Sequence, residues 1–189
     1  TTEGYAADKV RDIFTRASAL SEKVGDISLA IPSLTGLWSS YLMRGELRAS
    51  LVEGQKILEL ARRNRHSNHL ANGHLVTGIA LFYLGNFSAA HKHLVKSVSD
   101  CPPEPSKPDR VHWWDTEILG SSYKVKNFRM LGYSEQAQVE ARKALLRAQT
   151  LAIPLHIAQT HASLANHFAA CREVENTLKL AEIAIKISS

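Results

Sequence analysis

Three short turns constrain this chain more than any other feature. They read Arg44-Gly45-Glu46-Leu47, Leu84-Gly85-Asn86-Phe87 and Leu131-Gly132-Tyr133-Ser134. Each joins an apolar stretch to a glycine, with a leucine or an aromatic residue within two positions. A small residue then stands five beyond the glycine: Ser50, Ala90 and Ala137. A fourth copy, Cys171-Arg172-Glu173-Val174, keeps the frame without the glycine. The copies recur at intervals of 40, 47 and 40 residues. Self-similarity at such a period marks a helical solenoid, in which each unit needs its neighbour to cover its apolar face. Arrays of this kind chiefly bind other molecules, so the spacing points to recognition rather than catalysis.

Helix formers dominate, and with only 5 Phe and 6 Pro in 189 residues the composition favours helices over sheets. No run of about eighteen apolar residues exists, so no membrane span is expected. Thr1-Thr2-Glu3-Gly4 does not open a secretory leader, and the segment reads as a cut inside a longer protein. The net charge of +5 would suit nucleic acid if it were clustered. The densest group, Arg62-Arg63-Asn64-Arg65, falls instead where a helix should end and cations complement the helix dipole. Cys101 and Cys171 obey no metal spacing and read as free thiols of a reducing cytoplasm.

Apolar periodicity places helices over 5–23, 27–43, 47–63, 67–84, 87–99, 110–131, 134–151, 154–171 and 173–187. The first carries Val10, Ile13, Phe14, Ala17 and Leu20 as its stripe and ends at Gly25. Pro32 is expected near the first turn of the second helix, and Ser67 is positioned to cap the fourth. Gly78 and Ala165, each seven before a turn residue, are small enough to let paired helices approach closely. Four of the prolines fall in 100–109, a stiff loop that lengthens the middle interval. The units are therefore a half repeat over 5–23, then 27–63, 67–99, 110–151 and 154–188. Together they form one array over 1–189.

Gly78, Gly85 and Ala90 together resemble the tetratricopeptide (TPR) pattern, although Arg172 replaces a turn glycine and Trp38 and Val125 fill expected small positions. A longer likeness runs through Gly4-Tyr5-Ala6-Ala7, Arg16-Ala17-Ser18-Ala19-Leu20, Val24-Gly25-Asp26 and Gly36-Leu37-Trp38. It continues through Arg44–Leu47, Leu81-Phe82-Tyr83-Leu84-Gly85 and Leu131–Ala137. These resemble the C-terminal TPR region of large bacterial regulators built around a STAND-type ATPase. Many of those regulators carry a class III adenylate or guanylate cyclase at the front, and others a kinase or DNA-binding domain. The resemblance implies a regulatory, non-catalytic segment; the catalytic motifs of such regulators belong to other domains and none maps here.

No Gly-rich phosphate loop, Gly-x-Ser-x-Gly elbow or His-Glu-x-x-His pair is present, so no enzyme activity or cofactor is expected of this segment. His66 and His69 have a spacing compatible with a metal, but no third ligand accompanies them. His91 with His93, and His156, His161 and His167, diverge on a helix. Adjacent Trp113 and Trp114 point about a hundred degrees apart, so one is expected to pack and the other either to lean on the proline-rich loop or to be exposed for a partner.

In TPR arrays the first helix of each pair lines a concave groove. That register turns Asn72, Ser122, Lys126, Arg129, Gln159 and Asn166 toward it, a polar set suited to an extended or acidic peptide. The resulting expectation is an all-α, right-handed α-solenoid of antiparallel helix pairs, a TPR-like superhelix acting as a cytoplasmic protein-interaction and sensing module. Its partner would be a peptide, another protein, or a neighbouring ATPase or cyclase domain of the same chain. A small-molecule sensor and a structural oligomerisation array remain open. Nucleic acid is disfavoured because no stacking residue recurs in each repeat.

Overall fold

The computed structural model describes residues 4–64, 67–101 and 115–188. Among them every regular element is an α-helix: α1 (Asp8–Val24), α2 (Ile27–Met43), α3 (Leu47–Arg63), α4 (Ser67–Tyr83), α5 (Phe87–Ser99), α6 (Thr116–Met130), α7 (Ser134–Leu151), α8 (Pro154–Ala170) and α9 (Val174–Ser188). The chain divides into two compact units, Thr1–Trp113 and Trp114–Ser189. Within the first, consecutive helices from α1 to α5 pack on one another, and α2 also touches α4. Within the second, α6 pairs with α7 and α8 with α9, while α8 touches both α6 and α7.

The repeated turns explain why each pair closes as a hairpin. Gly45, Gly85 and Gly132 sit at φ 75°, 77° and 83°, the left-handed region that glycine enters without steric cost. At each, the glycine amide donates to the carbonyl three back and the following amide to the carbonyl five back. Glu46 donates to Tyr41, Asn86 to Leu81 and Tyr133 to Phe128, at 2.8–2.9 Å. This double bond is a Schellman cap, which satisfies carbonyls the helix end would leave free. The fourth copy keeps both bonds: Arg172 donates to Ala169 and Glu173 to Phe168, each at 3.0 Å. Arg172 does so at φ 61°, against the preference of a residue with a β-carbon.

Small residues then set how closely the helices pack. A β-carbon on Gly73 would lie 2.8 Å from the Leu58 Cα, and one on Gly54 3.2 Å from the Thr77 Cα, so α3 and α4 meet backbone to backbone. At Gly78 it would meet Leu94 Cδ2 at 2.9 Å, as expected of a small residue between α4 and α5. Gly36 lies under the Phe14 ring of α1, and Trp38 Nε1 donates to the Val76 carbonyl at 3.0 Å, tying α2 to α4. Those two contacts give the Gly36-Leu37-Trp38 triplet a packing reason. Ser50, Ala90 and Ala137, five beyond their glycines, are fully buried.

Three local expectations need correction. Pro32 lies one turn deeper than the first turn, inside α2, whose start is capped instead by Asp26 accepting from Ser28 N at 2.8 Å. On α1 the inward residues are Ser18 and Ser21, while Ile13 and Leu20 face outward. Val10, Phe14 and Ala17 of the expected stripe are half-buried, with Phe14 over Gly36. Helix α6 starts at Thr116, with Asp115 accepting from Ile118 N at 2.8 Å, rather than at position 110. The proline-rich stretch from 102 onward, Trp113, Trp114 and His66 lie outside the described residues.

Candidate functional site

Helices α6, α7 and α8 share a core of Val125, Ala137, Ala141, Leu164 and Ala165, closed by Leu180 of α9. Three alanine-sized residues in that set allow the helices to approach closely, which presents polar side chains of α6 along one face. Ser122, Lys126 and Arg129 follow at four-then-three spacing, so they share that face. Ser122 is buried, whereas Lys126 and Arg129 are half-exposed. On α8, Gln159 is half-buried and Asn166 is exposed, seven residues apart on a common face. Asn72 belongs to the other unit and is only 1% exposed; its Nδ2 donates to Thr35 Oγ1 at 3.4 Å. It therefore braces α4 against α2 instead of facing a partner.

Charges in this second unit fall into two groups. Lys124 meets Glu140 at 2.7 Å, Lys143 meets the same carboxylate at 3.1 Å, and Arg147 meets Glu117 at 2.8 Å. The first and third of these pairs clamp α6 to α7, and the second lies within α7. Burial would raise the Glu140 carboxyl, but bonding to Lys124 and Lys143 outweighs it and holds the group below its ordinary value. Glu117 goes the other way, raised chiefly by burial despite Arg147.

Lys126 and Arg129 form no ion pair within 4.0 Å among the described residues. Lys126 rests its ammonium 4.6 Å from the Tyr123 ring centroid, a cation–π contact. Burial, and then the charge of Arg129, lowers the affinity of Lys126 for its proton. Arg129 also acts on α8: burial first and this guanidinium second depress the His167 imidazole, against an opposing pull from Glu173.

Three other histidines are engaged structurally. His161 Nδ1 lies 2.7 Å from the Ile157 carbonyl. His74 and His93 bring their Nδ1 atoms within 3.1 Å, one ring donating and the other accepting, which joins α4 to α5. Burial and His93 push His74 down to about 4, and burial with Lys96 and Arg62 lowers His93 as well. Sequence spacing exposes neither the His74–His93 pair nor the influence of Arg129 on His167, since both join different helices. Among the described residues no group of three or more His, Cys, Asp or Glu could hold a metal ion. None of the described helices is long and apolar enough to cross a membrane.

A cleft lies wholly in the first unit. Ser21, Gly25, Ile27, Ala30, Leu34, Val52 and Leu60 help to line a cleft of about 670 Å³ between α1 and α3, over α2. Glu22, Asp26, Lys56 and Glu59 stand around it.

Several solved structures are similar to this chain. BtubC (BKLC) from P. vanneervenii superposes with a TM-score of 0.72 at 14% identity, covering 98% of this chain and 74% of that one. The fold is that of a TPR-like α-solenoid. The TPR-like repeats of a candidate kinesin light chain from Podosopora anserina follow, with TM-score 0.65 at 11% identity, over 94% of this chain and 84% of that one. The apo form of RapI matches with TM-score 0.57 at 10% identity, over 96% and 85%. No family model matches the sequence, and no curated protein matches it.

Proposed function

We propose that this chain is a non-catalytic interaction module. It holds an extended peptide segment of a protein partner against the first helices of its pairs. The observation that carries this reading is the polar face of α6. There Lys126 and Arg129 stand without carboxylates, although Lys124, Lys143 and Arg147 nearby are all paired. Two cations held on a rigid helix and left unpaired suit the side chains of a peptide better than they suit the fold. Ser122 borders them on the inner side, with Gln159 and Asn166 supplying hydrogen-bonding groups from α8.

The resemblance running from Gly36 to Leu47 supports a regulatory place for this region, beside an ATPase or cyclase domain of a larger cytoplasmic bacterial signalling protein. The neighbouring domain would then be a partner in the same chain. A reading frame encoding such a domain upstream would support that placement, and one encoding an unrelated protein would remove it.

Selection of a displayed random-peptide library against the whole chain tests the binding role. Recovered peptides, resynthesised and titrated by calorimetry, are expected to bind in the micromolar range. A library that yields no binder contradicts the reading.

The cleft between α1 and α3 favours a second reading, a small-molecule sensor. Its volume of about 670 Å³ lies in the range of ligand pockets, roughly 300–1,000 Å³, and its floor is largely apolar. A metabolite that raises the melting temperature in a thermal-shift screen, with the effect removed by Ala30→Trp, would support this alternative.

A further inference from the structure

The cleft between α1 and α3 exists because each helix packs on α2 and, among the described residues, neither packs on the other. Its floor is apolar: Ile27, Ala30 and Leu34 come from α2, with Val52 and Leu60 on the α3 wall. Among the described residues no aromatic side chain lines it.

Most polar groups around this floor are already used by the fold. Ser21 Oγ donates to the Ser18 carbonyl and Asn64 Nδ2 to the Leu60 carbonyl, each at 2.8 Å. Lys56 Nζ meets Glu53 at 2.9 Å, and Glu59 takes the Arg63 guanidinium at 2.8 Å. Asp26 accepts from the Ser28 hydroxyl at 2.7 Å and the Ser28 amide at 2.8 Å, both on Oδ1, which leaves Oδ2 open. Those bonds hold its carboxyl below the ordinary value, so it stays ionised at neutral pH. Glu22 is exposed and has no ion pair or hydrogen bond among the described residues.

The groups left over are therefore acceptors, since an ionised carboxylate donates nothing. Glu22, Asp26 and Glu59 line the cleft against one ammonium, that of Lys56, which is committed to Glu53. The helix ends act in the same sense. Both α1 and α3 bring their C-terminal caps, Gly25 and Asn64, to the cleft, and such ends carry partial negative charge. The α2 end is an N-terminus, but the Asp26 carboxylate caps it.

We propose, resting on the small-molecule reading of this cleft, that its ligand is a primary amine with a hydrocarbon body, bound as the ammonium. The body covers Ala30, Leu34 and Val52, while the ammonium donates to Glu22 and to the open oxygen of Asp26. A carboxylate or phosphate ligand would meet no uncommitted cation among the lining residues. A sugar needs donors and acceptors on several sides, and Gln55 is the one neutral polar side chain of the lining that the fold does not use. A quaternary ammonium has no hydrogen to donate and finds no aromatic cage here.

The test titrates hexylamine, hexanol, hexanoate and hexyltrimethylammonium into the whole chain at neutral pH. NMR follows the methyl signals of Ala30, Leu34 and Val52. Hexylamine is expected to move all three, with hexanol and hexyltrimethylammonium several-fold weaker and hexanoate weakest. Glu22→Gln combined with Asp26→Asn, which keeps a capping side chain, should weaken hexylamine about fivefold and leave hexanol unchanged. Equal binding of hexylamine and hexanol, or tighter binding of hexanoate, overturns the amine assignment and leaves the small-molecule reading standing. If no compound of the series moves these methyls, the amine assignment is also overturned, and the wider metabolite screen decides the small-molecule reading by itself. A helix-forming peptide of leucine and lysine that moves the same signals far below the hexylamine concentration overturns it in favour of a protein partner. If the double variant proves unfolded by circular dichroism, Glu22→Gln alone and the wild-type titrations decide.

Discussion

Arg172 occupies at φ 61° the position that glycine fills in the three equivalent turns. A left-handed conformation costs a residue with a β-carbon about 1 kcal/mol, so Arg172→Gly is expected to stabilise the chain by roughly that amount. Gly85→Ala should destabilise it to a similar extent, because its φ is 77°. Denaturant midpoints of the two variants check both signs, and equal midpoints would show that the turns are not equivalent. The three turn glycines are legible in the sequence because only glycine is at ease there. The fourth turn is legible only through its frame, since nothing local in Cys171-Arg172-Glu173 announces a positive φ. At the same scale, His74 and His93 are neutral where they meet. The folded-state value of His74, about 4, lies below its ordinary 6.5. Between those values the unfolded chain binds more protons, so stability is complete above pH 6.5 and falls as pH drops toward 4. His74→Gln should flatten that part of a melting-temperature profile, and an unchanged slope would assign the effect to other groups.

Elements dock according to what their glycines face. A methyl on Gly73 meets the Leu58 backbone at 2.8 Å, which cannot yield without separating α3 from α4. A methyl on Gly78 meets the end of the Leu94 side chain at 2.9 Å, which can turn aside. Gly73→Ala is therefore expected to cost about 1–3 kcal/mol, and Gly78→Ala distinctly less. Thermal unfolding of the two variants gives the order, and the reverse order would contradict this packing. Sequence spacing singles out Gly78, from its distance to the turn, and passes over Gly73, whose role depends on a neighbouring helix. The same limit applies at the candidate site. Lys126 and Arg129 follow from helical register on one element, whereas His167 enters only through α8, and Asn72 is withdrawn by a bond to Thr35 on α2. Helix starts read well where a turn glycine precedes them, as at Leu47 and Phe87. They read poorly at α6, where the Asp115 cap rather than periodicity fixes the first residue.

At the scale of the whole molecule, the chain shares its fold with TPR-like structures at only 10–14% identity. The central claim is that a partner is held by the first helices of the pairs. Hydrogen exchange of the full chain, with and without a selected peptide, tests this most directly. Added protection is expected on α6 and α8, while the outer faces of α7 and α9 exchange as before. Protection gathered instead on α1 and α3, around the cleft over α2, would contradict the account.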